Sequence, residues 1–184
     1  MKRRIPFETV VWREEPRASD EACIMELIRS SGFFSTEEVK IAAELVRERV
    51  ALGKASGYYF LFAEIFEEIS GYSCYGPIPG TAASYDLYWI AVRNDVRELG
   101  LGRAIMEKTE QRISESGGKR IYIETSSRDL YAPTRIFYEK CGYVKKAVIQ
   151  DFYSTGDDKI IYVKFYQKQG PDSRPGPDMK KGTH

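Results

Sequence analysis

The 184-residue chain contains one histidine, and it is the last residue, His184. A Ser/His/Asp or Cys/His nucleophilic site needs an imidazole held by the fold, so both are excluded, and histidine-ligated zinc goes with them. Cysteine is scarce as well. Cys23, Cys74 and Cys141 are widely spaced with no CxxC pair, which leaves one over in any disulfide scheme and cannot complete a four-thiolate metal site. They read as buried thiols in a reducing cytoplasm. Neither sign of charge is in excess: Lys+Arg 28 against Asp+Glu 27 gives a net charge of +1, so no general field exists to hold nucleic acid or an anionic membrane. Long hydrophobic runs are missing. Residues 58–65, interrupted by Glu64, are too few to span a bilayer. The basic start, residues 1–4, runs into Pro6, Glu8, Arg13, Glu14 and Glu15 rather than into a signal-peptide apolar region.

What remains is an ordinary globular composition, 42% hydrophobic and 30% charged, long enough to bury a self-standing core. Residues 8–13, ETVVWR, suit a first strand. Ser19 is placed to cap a helix carrying Ile24, Leu27 and Ile28, stopped by Gly32. Ser35 and Glu38 form a capping box ahead of the stripe Val39, Ala42, Ala43, Val46 and Val50, which ends at Gly53. The period then changes. YYFLFAEI and ISGYSCY read as a hairpin, and residues 85–92, YDLYWIAV, as a buried strand. A helix from about Gly100 to Ser116 and the strand at 121–125 complete a right-handed, parallel βαβ unit inside an otherwise antiparallel sheet. A short helix with Pro133 in its first turn ends at Gly142, and two strands, 144–152 and 159–166, pair across STGDD. The expectation is one α+β domain, residues 1–166, in the order β-α-α-β-β-β-α-β-α-β-β, followed by a disordered Pro/Gly-rich tail at 167–184.

The most informative stretch is Arg97, Glu98, Leu99, Gly100, Leu101, Gly102 and Arg103, where a strand leads through a glycine-spaced turn into a helix. Glycines let backbone N–H groups approach a ligand, and a helix N-terminus favours an anion, so diphosphate is the expected guest. Arg97 and Arg103 there oppose the helix dipole unless an anion lies between them; the bland alternative is a surface turn with solvated arginines. A Rossmann fingerprint fits poorly. Ile105 occupies the third glycine position, and seven residues, 93–99, separate the strand from Gly100, although Glu124 lies at a suitable distance for the ribose acid. A P-loop is excluded by the lack of GK[ST].

With RxxGxG as Arg97, Gly100 and Gly102, entered from YDLYWIAV and followed by IYIETSS and TRIFYEKCGY, the chain resembles the acetyl-CoA-dependent N-acetyltransferases of the GNAT superfamily. That resemblance implies a mixed, splayed sheet flanked by helices. It implies that coenzyme A lays its pyrophosphate on the turn 97–102, with Arg103 and Ala104 close by. The pantetheine would run along Ile90, Ala91 and Val92, and Thr134, Phe137, Tyr138 and Lys140 would flank the cofactor. It further implies that Tyr138 protonates the departing thiolate and that Asp86 serves as general base. The family's frequent asparagine near the start of the last helix is replaced by Tyr131.

Each of these residues also has a plainer reading. Tyr138 could pack beside Phe137 and Cys141 with its hydroxyl wet, and Asp86 could be the first residue after a turn. Glu124, with Thr125 and Ser126 at a strand end, is a further candidate acid or base, or else a solvated charge. Tyr58, Tyr59, Tyr72, Tyr75 and Tyr88 could wall an acceptor site or simply be core. Asp157 and Asp158 suit a hairpin turn, attraction of a cationic amine being the other reading. The expected activity is acetyl transfer from acetyl-CoA to a small-molecule or peptide amine by a cytoplasmic enzyme, with a homodimer allowed and no metal, nucleic acid or membrane partner. The rivals are a non-catalytic acyl-CoA-binding module and a dinucleotide oxidoreductase.

Overall fold

The computed structural model describes residues 9–97 and 99–166. The expected tail, the first eight residues and Glu98 lie outside the described residues.

The chain opens with β1 (Val11–Arg13), followed by helices α1 (Asp20–Ser31) and α2 (Thr36–Leu52). Ser19 makes no side-chain cap, contrary to expectation. The buried carboxylate of Asp20, the first residue of α1, instead ties down the chain that enters the helix, accepting the Arg17 N–H at 2.7 Å and two bonds from Arg13 at 2.8 and 3.0 Å. A charged pair inside the first turn satisfies more donors than a serine hydroxyl can. The α2 capping box forms as expected, with Ser35 and Glu38 bonded reciprocally. Val39, Ala42, Ala43 and Val46 are buried, but Val50 is 44% exposed. Arg49 is buried in its stead, its guanidinium bonded to the Tyr58 carbonyl at 2.9 Å and to Glu15.

Strands β2 (Tyr59–Ile65) and β3 (Glu68–Pro77) form the expected hairpin, turned through Phe66 and Glu67 at φ 53° and 65°. β4 (Ser84–Val92), α3 (Leu101–Glu115) and β5 (Arg120–Ser126) make the βαβ unit. Last come α4 (Ala132–Lys140), β6 (Val144–Ser154) and β7 (Asp157–Phe165). The seven strands form one sheet in the order β1-β2-β3-β4-β5-β7-β6, all neighbours antiparallel except β4 and β5.

One face of the sheet packs against α1 and α2 through Ile24, Ile28, Val46, Phe60, Phe62 and Tyr72. The other packs against α3 and α4 through Met106, Ile113, Ile121, Tyr138 and Tyr162. A bulge in β4 decides which side chains face which way. Tyr75 pairs with Leu87 and Cys74 with Trp89, leaving Tyr88 over. Because alternation is reset there, Leu87 joins the α3 core while Trp89, two residues on, packs against the α1/α2 core. β4 is accordingly only partly buried, not the continuous buried strand its composition suggests. Cys74 is buried as expected, Cys141 half-buried, and Cys23 exposed on α1. Among the described residues no helix is long and apolar enough to cross a membrane.

Candidate active site

Three parallel pairs join β4 to β5: Ser84 with Arg120, Tyr85 with Ile121 and Asp86 with Tyr122. Beyond Asp86 the strands part, residues 87–92 continuing with β3 and 123–126 with β7. Parallel strands that separate leave facing backbone edges without ladder partners, which suits an extended ligand able to act as an added strand. The gap is part of a cleft of about 1320 Å³ lined by both strands, the corner between α1 and α2, α4 and the β6–β7 hairpin.

One end of the cleft is cationic. Arg97 follows the short turn Asn94–Val96, lines the cleft, and has no carboxylate partner among the described residues. Its guanidinium lies over the Phe33 ring at 4.7 Å, and burial pulls its pKa down. Next to it α3 begins without a side-chain cap and without an acid in its first turn, behind Gly100 at φ 93°, a conformation that favours glycine. The first N–H groups of α3 are therefore free to meet an anion. Gly102, Ile90, Ala91, Val92, Thr134, Phe137 and Lys140 line the same cleft.

Carboxylates converge elsewhere in it. Asp86 is half-buried, and its pKa is pushed up to about 6, by burial first and the charge of Glu124 next, against an opposing pull from Lys159. Glu124 lines the cleft too, but Lys159 Nζ sits 2.6 Å from its carboxylate. Asp157 is more than a hairpin-turn residue. It is 5% exposed, accepts a hydrogen bond from Ser126 Oγ at 2.5 Å, pairs with Arg128 at 3.1 Å, and lines the cleft. Asp158 keeps the backbone role, accepting from the Asp151 N–H at 2.9 Å. The Tyr153 hydroxyl is pushed up to about 12, by partial burial first and then by the charges of Glu124, Asp157 and Glu38.

Tyr138 is 7% exposed, and its hydroxyl, which no described residue bonds, keeps access to the cleft that the residue lines. The ring packs 5.7, 6.3 and 6.0 Å from those of Phe137, Tyr143 and Tyr162, while the residue lines the cleft. Burial, followed by Cys141 and Tyr131, drives the phenol pKa upward, so it stays protonated at any ordinary pH.

The structure divides the other sequence candidates. Leu101 is 1% exposed in the core with Ile105 and Val10. Leu99, Gly100 and Arg103 line a separate recess with Trp12, and Arg103 is held by Glu107 at 2.8 Å. The glycine-turn side chains thus part company because successive residues entering a helix point about 100° apart. Of the five tyrosines considered for an acceptor wall, only Tyr88 lines the cleft. Tyr72 is fully buried and stacks with Phe60 and Phe62. Tyr59 stacks on Tyr75, and Tyr58 meets Tyr88 edge-on. Sequence reasoning missed Phe33, Phe34, Tyr122 and Lys159. Two adjacent aromatics between a helix-stopping glycine and a capping box were the available signal for the first pair.

A family model described as an acetyltransferase (GNAT) domain matches residues 56–145. The crystal structure of a GNAT-family protein from Desulfovibrio desulfuricans is 43% identical, covering 85% of this chain and 98% of that one with a TM-score of 0.83. The fold is shared with an aminoglycoside 6'-N-acetyltransferase from Enterococcus faecium, at 20% identity, 84% and 96% coverage and TM-score 0.66. It is shared also with a ribosomal-protein-alanine N-acetyltransferase from Brucella melitensis, at 15% identity, 85% and 99% coverage and TM-score 0.66. No curated protein matches the chain. The mixed seven-stranded sheet flanked by helices is thus the fold of an acetyltransferase. The chain belongs to the GNAT family of acetyltransferases.

Proposed function

We propose that the protein transfers the acetyl group of acetyl-CoA to a small-molecule amine by direct attack in a ternary complex. The observation that carries this reading is the pairing, in one cleft, of an anion-ready end and a carboxylate at the point where the strands part.

The residues present fit the donor. Arg97, paired with no acid among the described residues, and the free N–H groups at the start of α3 would hold a diphosphate. The unpaired edge of β4 at Ile90, Ala91 and Val92 would bond the amides of an extended arm, with Thr134, Phe137 and Tyr138 along its side. The donor supplies an acetyl thioester, whose carbonyl carbon is attacked and whose thiol departs.

Asp86, with its pKa near 6, is ionised at neutral pH and basic enough to take a proton from the amine as the C–N bond forms. Tyr138 holds a proton at Oη that passes to sulfur as the C–S bond breaks; Asp86 then gives the proton it took from nitrogen to solvent, and the Tyr138 phenolate takes one up from solvent, so both groups return to their starting states. Glu124 supports Asp86 electrostatically and is not itself the base, because Lys159 occupies its carboxylate. The catalytic unit is residues 1–166, with 167–184 dispensable.

Calorimetric titration with acetyl-CoA, followed by a thiol-release screen over amino acids, polyamines, aminoglycosides and peptide N-termini, tests the reading. Absence of binding removes the donor assignment. Binding without thiol release across the panel favours a non-catalytic acyl-CoA-binding module.

A further inference from the structure

Tyr131 sits in the turn Asp129–Tyr131 between β5 and α4, and it is 7% exposed yet belongs to none of the three apolar cores. Its hydroxyl donates to the carbonyl of Phe33 at 3.1 Å. Phe33 lies in the corner between α1 and α2, far off in sequence, and among the described residues this is the hydrogen bond that joins that corner to the β5–α4 turn. A chain of rings runs alongside. Phe34 lies 5.0 Å from Trp89 on β4 and 6.4 Å edge-on from Tyr131. Contacts therefore lead from β4, through the corner, to the segment that follows β5, bridging the two sides of the splay.

The corner matters because Phe33 seats Arg97. A carboxylate could hold a guanidinium as firmly, but it would cancel the charge a diphosphate needs. An aromatic face holds the cation and leaves its charge intact. The seat is only as fixed as the corner, which has αL Gly32 on one side and the N-cap Ser35 on the other.

We infer that Tyr131 is a positioning residue for donor binding: it ties the α1–α2 corner across the splayed strands and, through Phe33, fixes Arg97 at the diphosphate end. This rests on the function proposed above.

The test uses the full chain with Tyr131→Phe, Phe33→Leu and the double variant, all checked for an unchanged circular dichroism spectrum. Loss of one such hydrogen bond should weaken CoA binding about two- to tenfold by calorimetry. The KM for acetyl-CoA should rise in step, while kcat at saturation stays within about twofold, since only binding is affected. The double variant should lose less than the product of the single losses, because both act on the same seat. Amide exchange at residues 33–35 should quicken in Tyr131→Phe without any ligand. Unchanged CoA affinity in Tyr131→Phe, fully multiplicative losses, or unchanged exchange at the corner would each overturn the inference. Failure of the unaltered protein to bind CoA would instead strike the proposed function, and the exchange arm would still judge the tie.

Discussion

Asp86 and Tyr122 form the last backbone pair between β4 and β5, so the carboxylate with the raised pKa stands where the sheet opens. A group at this position is shielded by the ladder on one side and faces the cleft on the other. That explains a value near 6 better than full burial or full exposure would.

The rate of acetyl transfer should therefore fall on the acid side through a limb near pH 6, as Asp86 takes up a proton and ceases to accept one. Glu124→Gln removes the charge that holds the value up and should move the limb to lower pH. Lys159→Met should move it higher. Asp86→Asn should lose about 10²–10⁴-fold in turnover and abolish the limb. A pH–rate profile whose limb ignores all three substitutions would assign it to another group.

The same shift has a consequence for stability. A carboxyl whose folded pKa lies above its unfolded value binds its proton more tightly when folded, so stability declines as pH rises from about 4 to above 6. The cost of the ionised group is about 1–2 kcal/mol after allowance for solvent screening. Asp86→Asn should thus melt higher than the unaltered protein at pH 8 and draw level at pH 4. Parallel melting curves at both pH values would contradict this.

Tyr138→Phe removes a hydroxyl that no described residue bonds, leaving the ring among Phe137, Tyr143 and Tyr162. Melting temperature and CoA affinity should be nearly unchanged while turnover drops about 10²–10⁴-fold. Equal turnover would reduce Tyr138 to packing. Because burial drives its pKa upward, any basic limb below the tyrosine range must come from the amine or another group.

Gly102 offers a separation of stability from binding. A Cβ there would meet Val92 at 3.5 Å and Phe137 at 3.7 Å, ordinary contacts, so the protein itself does not require glycine. Gly102→Ala should stabilise the fold by up to about 1 kcal/mol through helix propensity. It should weaken CoA binding if a ligand lies against that backbone. Higher stability with full CoA affinity would move the diphosphate elsewhere.

A chain ending after Tyr166 should keep its melting temperature and its affinity for acetyl-CoA. The cut must not fall earlier. The Tyr166 hydroxyl bonds to buried Glu110, whose carboxylate also holds Lys164 at 2.8 Å, so removing Tyr166 would strip a hydrogen bond from a buried carboxylate. A change in oligomeric mass or acceptor KM in the truncated protein would show that residues 167–184 take part.

Local signals were legible in the sequence where the physics is local. The capping box of α2, the β2–β3 hairpin and the glycine-led start of α3 each depend on residues within a few positions of one another. Long-range pairs were not. Nothing near Glu124 announces Lys159, and nothing near Asp20 indicates that Arg13 would pair with it. The bulge at Tyr88 flips the alternation that a reading of YDLYWIAV assumes. The wall formed by Phe33 and Phe34 exists only once the α1–α2 corner is folded over the sheet. Arg97 stands out from the glycine-spaced turn it leads, Asp86 and Tyr138 through their resemblance to a family pattern, and the neighbours that tune them emerge only in three dimensions.

The brief seam between β4 and β5 gives the sheet two cooperative blocks, β1–β4 and β5–β7–β6. The blocks meet directly at the three β4–β5 pairs, and one apolar core that holds Met106 and Ile113 of α3 together with Leu87 and Ile121 spans the joint. A joint this short should open more readily than the longer ladders on either side of it. A donor lying between the parted edges would lace them as a further strand does, so amides at residues 87–92 and 123–126 should slow their exchange together when acetyl-CoA is added. Occupancy would then be written into the unfolding itself, two blocks parting separately when the cleft is empty and as one when it is filled.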